Sequence, residues 1–216
     1  EAETGIQAKG QILIKDNTVV SADAVQTGLC SATGGLRVLN GVLTVHAVQC
    51  GVYLADSSSI EGGMVQVDCV WGPAVRVEHG MLMMSGGGLR IAGSATGVNV
   101  SNTCVWDGGI ISVSGVQAGI LILGKCTISH NSVSVYAEEG VAMRVCGDML
   151  FAPDGAGCRF SASGKEGGLF VDAGNMEIVS GSYEISGRTA VMVGGNFRVV
   201  TGRQIFSGQE KGLVVS

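Results

Sequence analysis

Proline, positive charge and long apolar runs are all scarce in this 216-residue sequence. Only two residues are proline while 46% are hydrophobic, which excludes a disordered linker, because disorder requires few apolar residues. No apolar run approaches the roughly 18 residues that a membrane-spanning helix needs, so no membrane insertion is expected. Lysine and arginine number 13, and they are scattered along a chain of net charge -5. The chain therefore lacks an electrostatic surface for phosphate backbones, and nucleic acid is not an expected partner.

Motifs for metal binding and catalysis are absent as well. There is no CxxC, and the three histidines fall at different positions, so no metal site is predicted. Seven cysteines are an odd number, which argues against a disulfide framework. Three of them recur at similar intervals and are expected to stack as small apolar side chains in the core: Cys104, Cys126 and Cys146.

Glycine, by contrast, is abundant, with 36 residues, and it marks an internal repeat. A Gly or Ala followed by an apolar residue recurs in "GIQAKG", "GLCSAT", "GVYLAD", "AVRVEH", "GVNVSN", "GILILG", "GVAMRV", "GLFVDA", "AVMVGG" and "GLVV". These segments start at residues 5, 28, 51, 74, 97, 119, 140, 168, 190 and 212. The steps between starts are 23, 23, 23, 23, 22, 21, 28, 22 and 22 residues.

Each unit contains three short stretches in which apolar and other residues alternate, the pattern typical of β-strands. Turns with Gly or Asn separate the second and third stretches, and these residues tolerate positive φ. The repeat predicts an all-β fold: a single-stranded, right-handed parallel β-helix of about nine to ten coils of 21–23 residues, with three strands per coil. A left-handed hexapeptide helix, a propeller and a leucine-rich repeat would each require a different period.

Equivalent side chains of successive coils are expected to stack in columns. The inward column of the first strand is predicted to contain Ile6, Leu29, Val52, Val75, Val98, Ile120, Val141, Leu169, Val191 and Leu213. The 28-residue step from Gly140 predicts an enlarged loop at residues 152–167. In the unit that starts at Gly140, Ala142 is predicted to point outward from the first strand.

A candidate carbohydrate site lies on the outward face of the first strands. Tyr53, Arg76 and Asn99 are predicted to be in line on three successive coils, with three further polar residues along the adjoining edge: Asp56, Glu78 and Asn102. An aromatic ring, a guanidinium and amide or carboxylate groups suit the apolar face and the hydroxyls of a sugar. A solvated sheet face with a single tyrosine is the alternative interpretation.

Further along this face the predicted outward residues are apolar: Leu121, Leu123, Phe170, Met192 and Val214. An apolar patch of this kind is usually covered. The enlarged loop, a second subunit of a homo-oligomer or a neighbouring domain is expected to cover it. The chain starts with "EAETGIQ" and ends mid-strand with "GLVVS", so we expect part of a longer, processed protein whose end coils meet another domain or molecule.

The repeat pattern of "GLCSATGGLRVLNGVLTV" and "VRVEHGMLMMSGGGLRIAGSATGV" resembles that of the right-handed β-helix family of bacterial cell-surface carbohydrate-binding proteins. These proteins are related in architecture to pectate lyases. The resemblance covers essentially the whole chain and implies one domain, residues 1–216, in an extracellular or cell-surface protein that binds a polysaccharide. Pectin-binding members hold calcium in Asp-rich turns, often "GID" or "DGI". This sequence has no such turns, and no cofactor is expected.

The sequence leaves two function classes open and disfavours a third. The first is a noncatalytic polysaccharide-binding module, and the second is a structural or adhesin-like stalk that binds protein or associates with itself. The third is a polysaccharide lyase or glycoside hydrolase. No catalytic residues are predicted, because the outward columns contain no paired carboxylates.

Overall fold

The computed structural model describes residues 2–152 and 158–216, and this part of the chain contains strands and turns without a helix. It winds into a right-handed parallel β-helix with three strands per coil, which confirms the predicted fold class. Separate first strands are β1 (Thr4–Ala8), β4 (Thr27–Ser31), β7 (Cys50–Leu54), β10 (Pro73–Val77) and β17 (Val141–Val145). Separate third strands are β3 (Thr18–Ala24), β6 (Gly41–Ala47), β9 (Met64–Cys69) and β16 (Asn131–Ala137).

The remaining strands complete the coils in two ways. Five long strands serve as the third strand of one coil and the first of the next: β12 (Gly88–Val100), β14 (Gly109–Ile122), β19 (Arg159–Val171), β21 (Ser182–Val193) and β23 (Arg203–Val215). The second strands form a separate nine-stranded sheet: β2 (Ile12–Ile14), β5 (Leu36–Val38), β8 (Ser58–Ile60), β11 (Leu82–Met84), β13 (Cys104–Trp106), β15 (Cys126–Ile128), β18 (Met149–Phe151), β20 (Met176–Ile178) and β22 (Phe197–Val199). We call the outward surfaces of these strand sets the first-strand, second-strand and third-strand faces.

The pairing register of the inward first-strand column is confirmed at nine of its ten predicted positions, of which Leu213, in the last coil, is 41% exposed. Parallel pairing joins Leu29 to Val52, Val52 to Val75 and so on along the chain. The prediction was wrong at Val141, because Met143 pairs with Ile120 and with Leu169 and is fully buried. This coil begins at Ala142, two residues later than the repeat suggested. The shift also changes which side chains of the coil point outward.

A small residue opens each coil because the chain passes close to the next coil there. At Gly51 an added Cβ would lie 2.4 Å from the carbonyl oxygen of Ala74 and 2.3 Å from a methyl group of Val67. Gly51 and Val52 are both buried, so the chain turns a corner with two successive residues facing inward. Ala74, Ala142 and Ala190 fill the same corner in other coils and are fully buried. Close packing at this corner therefore requires a Gly or Ala once in each coil, and this requirement appears in the sequence as the repeat.

Positive φ angles recur at the turn between the second and third strands, as predicted. Gly63, Gly87 and Gly109 have φ of 73°, 66° and 91°, a region where a side chain is strained. In the following coil Asn131 pairs with Gly109 and is completely buried. Its side-chain amide donates to the Gly108 carbonyl, and its Oδ1 accepts from the Gly108 N–H at 2.9 Å. An asparagine can thus replace glycine here by bonding to the neighbouring coil.

The predicted enlarged loop at residues 152–167 is largely strand. The segment from Arg159 to Gly164 pairs in register with Ser132 to Ala137, so it forms a third strand and does not fold over the apolar residues of the first-strand face. Eight positions separate Phe151 from Arg159, whereas four separate their partners Ile128 and Ser132. The extra length of the coil falls in this interval. Residues 153–157 lie outside the described residues.

The cysteine column was predicted correctly for two of its three members. Cys104 pairs with Cys126 in the second-strand sheet, and both are buried. Met149, rather than Cys146, pairs next with Cys126. Burial raises the pKa of the Cys104 and Cys126 thiols, so both stay protonated at neutral pH and serve as apolar core groups.

Candidate functional site

The candidate site on the first-strand face is built from the strands β7, β10 and β12. Parallel pairing places Arg76 between Tyr53 on one side and Asn99 on the other. The residues flanking each of them on its strand are buried, which directs the three side chains outward. Tyr53 and Asn99 are half-buried and Arg76 is exposed. An aromatic ring, a guanidinium and an amide thus line up at the coil spacing of about 4.8 Å.

The guanidinium of Arg76 is held in place by its own strand. Its Nε donates to Oε2 of Glu78, two residues further along and on the same face, at 2.5 Å. This hydrogen bond lowers the pKa of the Glu78 carboxyl, which is therefore ionised at neutral pH. An arginine has five N–H donors, so the bond through Nε leaves others for a ligand. The ion pair fixes the orientation of the guanidinium plane.

The predicted adjoining edge is not one row. Counting on from the pairs Val77–Leu54 and Val100–Val77 brings Asp56, His79 and Asn102 into line, with Glu78 one position earlier. Asp56 Oδ1 accepts from the N–H of Ser57, and Asn102 Oδ1 accepts from the hydroxyl of Thr103. Both exposed side chains thus bond within their own turns, two coils apart. The sequence pattern did not indicate His79, which lies between them.

The predicted apolar patch is interrupted. Leu121 follows Asn99 in the outward column, but Arg144, and not the predicted Ala142, comes next. Ala142 faces inward and is fully buried, because the coil begins two residues later than expected. Phe170, Met192 and Val214 then continue the column as adjacent, half-buried apolar residues. Leu123 lies at a neighbouring outward position and is 49% exposed.

A cavity of about 470 Å³ lies on this face at the break in the patch. Arg144 Nε donates to Asp172 Oδ2 at 2.7 Å across adjacent coils. Within the described part of the chain, the buried Oδ1 of Asp172 has no hydrogen-bond partner. Burial, followed by the negative charge of Asp172, raises the pKa of the Cys146 thiol at the cavity wall. Leu121, Leu123 and Glu166 also line the cavity.

The histidines and cysteines do not assemble a metal-binding group. Over residues 2–152 and 158–216 there is no cluster of three or more His, Cys, Asp or Glu side chains that could hold a metal ion. His46 contacts Asp68 at 3.1 Å on the third-strand face, and His130 contacts Asp107 at 2.8 Å in a turn. The same ranges contain no helix long and apolar enough to cross a membrane.

Comparison of the chain with family models, with curated proteins and with solved structures finds no match in any of the three. A parallel β-helix by itself assigns no function, because one architecture can support several kinds of chemistry. A functional interpretation of the protein must therefore rest on the geometry of the first-strand face. That face combines a polar column, a cavity with an ion pair, and an apolar row along one continuous sheet.

Proposed function

We propose that this β-helix is a noncatalytic polysaccharide-binding module of a secreted or cell-surface bacterial protein, and that its first-strand face binds the glycan. The observation that carries the proposal is the column of Tyr53, Arg76 and Asn99, side by side and outward on three adjacent coils. The tyrosine ring offers a surface for the apolar face of a sugar, and the other two groups offer hydrogen bonds to hydroxyls.

The arrangement suits an extended chain rather than a single sugar. Successive coils advance by about 4.8 Å, which is comparable to one sugar unit of an extended polysaccharide, so neighbouring side chains can meet neighbouring units. The cavity at Leu121, Arg144 and Asp172 continues the same face beyond Asn99. Its ion pair and apolar wall would hold a further unit. The resemblance of the repeats to surface carbohydrate-binding β-helices supports the same assignment.

The test is a screen of the purified chain against a polysaccharide panel, with and without calcium, followed by titration of each glycan that binds. For at least one glycan that binds, Tyr53→Ala and Arg76→Ala should each weaken binding at least about tenfold, as expected for the loss of an aromatic contact or a charged hydrogen bond. Tyr136→Ala is the matched control, because Tyr136 is 52% exposed on the third-strand face. Equal loss in the control, or release of unsaturated or reducing sugars, would contradict the proposal.

A second candidate is an adhesin-like stalk that binds protein or associates with itself. The row of Phe170, Met192 and Val214 favours it, because adjacent half-buried apolar residues on an open sheet face are suited to contact with another molecule. Sedimentation equilibrium should then show a dimer that Met192→Lys dissociates. A monomer at every concentration, together with glycan binding, favours the first proposal over the second.

A further inference from the structure

The third-strand face of the C-terminal coils differs in charge and polarity from the rest of the molecule. Its outward positions are rich in serine, and pairing aligns Ser132, Arg159, Ser182 and Arg203 in one column across four coils. The neighbouring column contains Ser134, Ser161 and Glu184. Together these side chains line an open groove of about 520 Å³. Hydroxyl groups thus surround two exposed guanidinium groups.

Neither arginine of this groove forms an ion pair with a described residue. Five of the eight arginines form ion pairs with carboxylates: Arg37, Arg76, Arg144, Arg188 and Arg198. As far as the structure describes the chain, the other three form none, and all three point outward from third strands: Arg90, Arg159 and Arg203. In a chain of net charge -5, two arginines without an ion pair among the described residues, beside the single carboxylate of Glu184, create a local site for anions.

The spacing of the two arginines restricts the ligand. Arg159 and Arg203 both pair with Ser182, so they lie two coils apart, about 9.6 Å at the usual strand separation. Two sugars of an extended polysaccharide span a comparable length. Each guanidinium can bind a carboxylate or sulfate through two parallel N–H donors, while serine hydroxyls both donate to and accept from sugar hydroxyls.

We infer that this groove is a second glycan site, specific for an acidic polysaccharide with one anionic group on every second sugar. The groove is an open depression of the surface, which admits a polymer, and it lies on a different face from Tyr53 and Arg76. Glu184 opposes the anion, because it lies two residues after Ser182 on the same strand and its carboxylate also lines the groove. In the inferred site, Arg159 and Arg203 therefore bind the anionic groups of the polysaccharide. The serine hydroxyls bind its sugar hydroxyls and position the chain along the groove.

The experiment is a calorimetric titration with a hyaluronan decasaccharide, which carries a carboxylate on alternate sugars. Dextran, polygalacturonate and inorganic polyphosphate are titrated in parallel as a neutral chain, a fully carboxylated chain and a non-sugar polyanion. Arg159→Gln with Arg203→Gln should weaken hyaluronan binding at least about tenfold, since charge-assisted hydrogen bonds are lost. Glu184→Gln should strengthen it about two- to fivefold by removing a repulsive charge.

Two control variants distinguish this groove from unpaired arginines in general and from the first-strand face. Arg90→Gln removes an equally unpaired, exposed arginine of the third-strand face outside the groove and should leave the affinity unchanged. Tyr53→Ala should also leave the affinity for hyaluronan unchanged. Loss of binding at the first-strand face is thereby distinguished from loss of binding at this groove. Absence of hyaluronan binding, equal weakening by Arg90→Gln, or tighter binding of polyphosphate or polygalacturonate would overturn the inference. Unchanged circular-dichroism spectra verify that each variant is folded.

Discussion

At the scale of single residues, the corner that opens each coil limits the side chains that the fold accepts. Gly51 meets both the backbone of Ala74 and the side chain of Val67, whereas nothing lies within 4 Å of a Cβ at Gly10. The same amino acid thus has two different roles at these two positions. The glycines that set the period are those whose Cβ would overlap the next coil.

Gly51→Ala and Gly10→Ala form a matched pair that tests this account. Overpacking at Gly51 should lower the free energy of unfolding by roughly 1–3 kcal/mol, because the backbone carbonyl of Ala74 must shift. Gly10→Ala should be neutral or stabilise by up to about 1 kcal/mol through the unfolded chain. Urea denaturation of both variants is the measurement. Equal free energies of unfolding would mean that the corner is not tightly packed.

At the scale of elements, side chains tie one coil to the next where the glycine pattern is broken. Asn131 occupies a turn position that is glycine in the preceding coil, and it binds both the N–H and the carbonyl of Gly108. Its complete burial means that water cannot replace these hydrogen bonds. Asn131 therefore does by side-chain bonding what a glycine does by conformational freedom.

Asn131→Ala should destabilise the protein by roughly 2 kcal/mol, because two backbone groups lose their partners in a poorly hydrated corner. Asn40→Ala is the control, since Asn40 lies exposed at the turn of another coil and should change the free energy of unfolding by less than about 0.5 kcal/mol. Thermal and urea unfolding monitored by circular dichroism provide the comparison. A loss at Asn131 no greater than at Asn40 would show that the coil contact is dispensable.

At the scale of the whole molecule, stability should be distributed along the helix axis. Each coil of a solenoid contacts only its neighbours, so a central coil gains two interfaces and a terminal coil gains one. Burial follows this rule: Val98 and Ile111 are fully buried, whereas Ile12 is only partly buried and Val199 is 40% exposed.

Native-state hydrogen exchange should therefore be slowest in the central strands β12, β14 and β16 and fastest in β2 and β22, the first and last second strands. The difference should be read from amides at equivalent positions of the coils, such as those of Ile12 and Cys104, which share a column of the second-strand sheet. Uniform protection along the axis would indicate a single cooperative unit and contradict the nearest-neighbour description.

Much of the fold was predictable because the core repeats along a single axis. Val52, Val75 and Val98 stack because a repeat in the sequence becomes a translation along the axis, and the glycine turns follow from the same period. The alignment of Tyr53, Arg76 and Asn99 needed no more than that register. Where the period holds, the position of a side chain follows from counting residues.

The sequence by itself thus determined the architecture, the inward columns of the regular coils and the order of residues along the polar column, because these depend only on spacing. The tertiary structure decided which small residue opens an irregular coil, since Gly140 and Ala142 fit the motif equally and only packing selects Ala142. It also decided which arginines form ion pairs among the described residues: Arg144 binds Asp172 across a lengthened coil, whereas Arg159 and Arg203 lie on either side of Ser182 in the strand pairing. Ion pairing depends on side-chain geometry between coils, and a linear period does not encode it.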